Sequence, residues 1–178
     1  MEGSGVYRPS MTQNEEIAEL KRQIERLSLF HEVGKSLAST LDLQKILQTV
    51  MEKISDLLHP DTWSLLMLDE KTQELYFEIA IGASADKLKD VRIKLGEGVA
   101  GWVAQHGEAV LVEDVKSDPR FSTRFDELTH VDTQSVACVP IRGKEKVLGV
   151  IELVNCLGRE SFRKEDIPIL KSLADYAA

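Results

Sequence analysis

Gly96, Gly98 and Gly101 follow the run VRIKL and stand in the order G-x-G-x-x-G, the spacing of a loop that cradles a dinucleotide pyrophosphate. Glu113 lies about where such folds place their ribose-binding acid. Two features argue against that chemistry. Val91, Ile93 and Leu95 alternate with Arg92 and Lys94, the pattern of a half-buried strand, whereas a doubly wound sheet opens on a continuously apolar one. The helix that follows is also stopped early by Gly107, too soon to cross a sheet. The glycines are therefore read as a tight strand-to-helix corner. Cys138 sits in the apolar run SVACVPI with no base beside it to lower its pKa, and with Cys156 it gives neither a disulfide framework nor metal-ligand spacing. His31, His59, His106 and His130 are scattered without a second ligand at helical spacing, so no metal site is expected. Glu113 and Asp114 are adjacent, and on a strand they point to opposite faces, so they form no acid/base pair. No catalytic residue is expected, and the chain is read as a non-enzyme.

The remaining chemistry is that of binding. Val99, Trp102 and Val103 on one short helix, with Phe121 and Phe125 on another, can supply the apolar wall of a pocket, and Thr129, Thr133 and Ser135 can supply a few directed hydroxyls. The same aromatic side chains could instead fill the space as core. Both readings stand at this point.

The elements that must position these residues are legible in the periodicity. MEGSGVYRPSM (within residues 1–12) reads as a disordered leader or linker. Within 13–40, Ile17, Leu20, Ile24 and Leu27 make a short coiled-coil seam, which Phe30, Val33 and Leu37 continue with a phase shift. It predicts a parallel homodimer; one long helix packed on its own domain is the alternative. From Asp42, a broad apolar face on Leu43, Ile46, Leu47, Val50, Ile54, Leu57 and Leu58 predicts a sheet-covering helix. WSLLML and Leu75–Ile81 make a hairpin across a four-residue polar loop. Asp118-Pro119 reads as an N-cap with proline at the first helical position, starting a helix at Arg120. Ser135–Ile141 and Val147–Asn155 are two further strands, with Pro140 suited to a strand end and Gly149 to a bulge or close approach. A helix from about Lys164 runs through Leu173 and Ala177 without a stop signal, as though cut short. The order predicts an α+β fold: an antiparallel sheet of about six strands, long N- and C-terminal helices on one face and short helices roofing a pocket on the other.

Composition narrows the function. The 178 residues carry 30 acids against 22 bases, net −8, which gives no electrostatic footprint for nucleic acid. No apolar run is long enough to span a membrane and no signal-peptide layout opens the chain, so it is read as cytoplasmic.

The segment GEGVAGWVAQHGEAVLVEDVKSDPRF, with SVACVPI, GVIELVN and the F-x-x-x-D of Phe162 and Asp166, resembles a GAF domain over 41–178. The resemblance implies a PAS-related sensory fold that binds a small molecule and dimerises through its terminal helices. It also implies that the signal passes to an output module outside this chain, as in bacterial signalling proteins. A ligand-free dimerisation module is the other reading. Cyclic-nucleotide-binding members carry N-K…F-x-x-x-D-E. Here Asn155, Phe162 and Asp166 match, while Cys156 stands for the lysine and Ile167 for the glutamate. The resemblance thus implies an unknown small-molecule ligand and no resident cofactor. The free methionine sulfoxide reductases share the fold, but they need reactive pocket cysteines.

Overall fold

The computed structural model describes residues 43–82 and 85–178, together with Arg22. The expected leader and nearly all of the coiled-coil seam lie outside the described residues. The chain divides into two compact units, Met1–Thr49 and Val50–Ala178, and the second carries the fold. Helix α1 (Leu43–Leu58) enters that unit at Val50; from there Val50, Met51, Ile54 and Leu58 are buried at the three- and four-residue spacing of one helical face.

The sheet has six strands: β1 (Pro60–Asp69), β2 (Glu74–Ile81), β3 (Arg92–Lys94), β4 (Val110–Val112), β5 (Val136–Arg142) and β6 (Val147–Cys156). Their spatial order is β3-β2-β1-β6-β5-β4, and every pairing is antiparallel. An antiparallel sheet removes the dinucleotide-fold reading of the glycine motif. The longest strands, β1 and β6, pair at the centre, where Ser64 faces Glu152 and Leu66 faces Val150. Pro140 lies in β5 beyond Cys138, the last residue of that strand to pair with β4, so its missing N–H removes no ladder bond to β4.

Side chains alternate across the sheet. Trp63, Leu65, Ile151, Leu153, Ala137, Val139 and Ile141 are buried on one face, where α4 (Asp166–Tyr176) packs on β5 through Ile169, Leu170 and Leu173. The other face presents Leu66, Leu75, Ile93, Val110, Val112, Val136, Cys138 and Val150 to Val99, Ala100, Val103 and Ala104 of α2 (Gly98–His106). The corner before α2 needs its glycines: Gly96 and Gly98 have φ of 83° and 65°, and a Cβ on Gly101 would collide with the Lys94 carbonyl.

Helix α3 (Arg124–Thr129) starts later than Asp118-Pro119 predicts. The Asp118 carboxylate accepts from Arg120 N, two residues on, at 2.9 Å, as an N-cap does, and Phe121 N donates to Asp118 O at 3.1 Å, but the chain closes only this one turn and the helix starts at Arg124. A helical turn of 3₁₀ type, Val115–Ser117, precedes it.

Candidate functional site

A cavity of about 80 Å³ lies between the polar part of the sheet and its roof. Thr62 and Ser64 of β1, Phe77 of β2, Ile93 of β3, Val136 of β5, and Glu152 and Val154 of β6 form the floor. Register explains the grouping. Thr62, Ser64, Glu152 and Val154 occupy alternate positions on paired strands, so all four point to one face. The roof is the start of α2, the segment around Phe121 and Ser122, and α3 with the chain leading to Thr133.

Internal bonds hold the roof in place. The Asp126 carboxylate on α3 accepts from Thr133 Oγ1 at 2.5 Å and Thr133 N at 3.0 Å. Glu97, which precedes α2, accepts from Lys94 N at 3.0 Å and pairs with the Arg124 guanidinium. Burial raises the Glu97 carboxyl, but the Lys94 amide and Arg124 outweigh it and hold the group below its ordinary value. Asn155, at φ 51°, closes the back of the roof. Its Oδ1 accepts from Gln134 N at 2.7 Å and Ser135 N at 3.3 Å, and its Nδ2 donates to Asp132 O at 3.0 Å.

Five of the eight expected pocket residues, Val99, Phe121, Phe125, Thr129 and Thr133, line this cavity. Three do not. Trp102 points out of it, stacked on His106 with ring centroids 4.1 Å apart and covered by the Arg120 guanidinium at 4.8 Å. Val103 is wholly buried core one helical step further round. Ser135 is buried behind the lining, and its Oγ has no hydrogen-bond partner. The two threonine hydroxyls also serve the scaffold: Thr129 Oγ1 donates to Phe125 O at 2.7 Å, and Thr133 Oγ1 donates to Asp126.

Glu152, Ser64 and Thr62 were not among the expected residues, and they form the polar floor. None of the three side chains has a hydrogen-bond or ion-pair partner among the described residues. Glu152 is half-buried where the cavity reaches it, and the protein packed around its carboxyl removes part of its hydration; that desolvation pushes it from 4.5 up to about 7. The signal in the sequence was a single charge in the middle of the apolar strand GVIELVN.

Cys138 faces Glu152 across the β5–β6 ladder and is wholly buried. Desolvation first, and then the Glu152 charge, push its thiol well above the ordinary range, so it is no thiolate nucleophile.

Asn155, Phe162 and Asp166 lie outside the cavity lining. Phe162 is wholly buried. Asp166 accepts from Arg163 N at 2.8 Å and from the Arg159 guanidinium at 3.1 Å, and Arg159 Nε also reaches Cys156 Sγ at 3.1 Å. A basic partner for this acid is therefore present, on Arg159, although Cys156 replaces the motif's lysine. Among the described residues no His, Cys, Asp and Glu cluster could hold a metal ion, and no helix is long and apolar enough to cross a membrane.

The family model for the GAF domain matches residues 42–178. The chain is 25% identical over 169 residues to the dual 3',5'-cyclic-AMP and -GMP phosphodiesterase 11 of Drosophila melanogaster, covering 87% of this chain but 12% of that protein. In structure it is similar to the GAF domain of a phosphoenolpyruvate-protein phosphotransferase from Coxiella burnetii, with TM-score 0.76 and 21% identity over 86% of this chain and 90% of that one. It is also similar to a free methionine-R-sulfoxide reductase from Neisseria meningitidis in complex with its substrate, with TM-score 0.71 and 19% identity over 97% and 92% of the two chains. At those identities the structural likenesses show the fold alone.

Proposed function

This chain belongs to the GAF domain family, a family of regulatory domains, and from that membership we propose that it is a ligand-responsive sensor whose small-molecule site is the cavity between sheet and roof. The observation that carries the reading is the polar floor: buried Ser64 and half-buried Thr62 and Glu152 line the cavity with no hydrogen-bond or ion-pair partner among the described residues, so their oxygens are open to a ligand that bonds to them. Val99, Phe121 and Phe125 supply apolar contact from above. Asp126, Thr129, Thr133 and Asn155 position the roof, and Phe162 and Asp166 frame the loop behind it.

A ligand that favoured one arrangement of α2 and α3 would shift the population of states in proportion to its differential affinity. In this proposal the segment 13–40 and the C-terminal helix pair two copies in parallel and relay that shift to an output module. The chain spans 12% of the length of the phosphodiesterase it matches, which leaves room in that relative for such a module. The site is non-catalytic, and the protein acts in the cytoplasm.

Thermal unfolding against a panel of cyclic nucleotides, nucleobases, amino acids, amines and oxyanions tests this. A ligand at about 100 times its dissociation constant adds roughly 2.7 kcal/mol and raises the midpoint by several degrees. The shift should vanish when Phe125 is replaced by Ala. The second reading is a ligand-free dimerisation module. It is favoured by the cavity's modest size, about 80 Å³, against roughly 300 Å³ or more for drug-sized pockets. No shift across the panel, from a protein that sizes as a dimer, would establish that reading instead.

A further inference from the structure

The cavity's charges differ in what already satisfies them. Three carboxylates line it: Glu97, Asp126 and Glu152. No lysine, arginine or histidine is among its lining residues. Glu97 is paired with Arg124 and the Lys94 amide, and Asp126 is bonded twice to Thr133. Only Glu152 is left with its bonding capacity open, and Ser64 lies directly across the β1–β6 ladder from it. Phe121 and Phe125 line the same space from the roof side.

An anion entering this space would meet three acids with no cation among the lining side chains, the nearby Arg124 guanidinium being paired with Glu97 and set over the Phe125 ring. A cation would instead find an open carboxylate at the floor, flanked by hydroxyl acceptors, with aromatic rings to cover an apolar body. Resting on the sensor reading above, we propose that the cavity is a receptor site for a small organic cation, an ammonium or amidinium group on a short apolar body, held by Glu152 with Ser64 and Thr62 beside it. The size agrees. A cavity of about 80 Å³ is smaller than the roughly 150 Å³ that accommodates benzene, so the ligand has a handful of heavy atoms.

The protonation of Glu152 gives the site a pH signature. The groups facing it are the thiol of Cys138 from β5, which stays neutral, the hydroxyls of β1, and the satisfied carboxylates of Asp126 and Glu97 from the roof. With its carboxyl near 7, the ionised fraction rises about tenfold between pH 6 and pH 8, and affinity for a cation rises with it.

Calorimetric titration of the full chain with butylamine and acetamidine tests the proposal, with butanol and acetamide as uncharged isosteres and cyclic AMP and cyclic GMP as anions. The expected result is binding by at least one cation, about tenfold tighter at pH 8 than at pH 6, and no binding by its isostere. Glu152→Gln should weaken that binding at least tenfold and remove its pH dependence while keeping the wild-type circular dichroism, and Ser64→Ala should weaken it less. Equal binding by Glu152→Gln, or by the uncharged isosteres, overturns the proposal. So does silence of both cations at pH 8. In that case a response to the cyclic nucleotides, or to another class in the wider thermal panel, leaves the sensor reading standing, and silence throughout removes both.

Discussion

Replacing Glu152 by Gln should change stability in a way that depends on pH, and the sign follows from where the group titrates. Its carboxyl rises from 4.5 to about 7 in the folded chain because its cavity desolvates the ionised form. That displacement corresponds to about 3 kcal/mol against the folded, ionised state. Water reaching the half-buried side chain through the cavity reduces the effect, so a value of about 1–3 kcal/mol is expected. Below the unfolded value near 4.5, both states hold the proton and the group is neutral in its effect. Between about 4.5 and 7 the folded state retains a proton that the unfolded chain releases, so stability falls as pH rises, and above 7 the penalty is complete. Glu152→Gln keeps the size and removes the charge. Urea unfolding of both proteins at pH 5, 6, 7 and 8 should show nearly equal stability at pH 5 and a variant more stable by about 1–3 kcal/mol at pH 8. A stability difference that stays constant across this range would refute the reasoning, because a group that titrates normally has no buried charge penalty to remove.

Three further changes probe the scaffold. Gly149→Ala places a Cβ against the Leu66 carbonyl where β1 and β6 pair, backbone against backbone; a loss of about 2–4 kcal/mol by urea unfolding is expected, and a loss below about 1 kcal/mol would contradict the close approach. Asn155→Ala loses three hydrogen bonds and puts alanine at φ 51°, for a cost of about 2–3 kcal/mol and faster amide exchange at Gln134 and Ser135; Asn155→Gly, free of the backbone strain, should cost about 1 kcal/mol less, and equal costs would dismiss the strain. Arg159→Ala strands the buried Asp166 with one remaining backbone donor and should cost about 1–2 kcal/mol, read as a lower urea midpoint, while an unchanged midpoint would mean the pair contributes nothing.

The sequence by itself determined the elements and their chemistry. Alternation in VRIKL, helical spacing on Val50, Ile54 and Leu58, the glycine corner and the polar hairpin loop each state a local preference, because strand period, helix period and turn geometry are properties of a few consecutive residues. It offered Val99, Phe121 and Phe125 as either a pocket wall or core filling, and only the packing puts all three along the cavity. Tertiary structure decided which residues share a surface. Trp102 is spaced to join Val99, yet Arg120 and His106 hold it outside the lining, and Thr129 and Thr133 bond to their own scaffold. Asp118 carries the signature of a helix cap and accepts from Arg120 N as a cap does, but the turn it closes is not continued, and the helix begins only at Arg124. The floor was hidden most completely: Ser64 and Glu152 are 88 positions apart and meet because β1 pairs with β6. A lone acid in an apolar strand signals that something unusual is buried, but pairing register and a roof 3D-packed above it decide whether it becomes a core defect or a binding site, because desolvation depends on everything around the carboxyl and not on its neighbours in the chain.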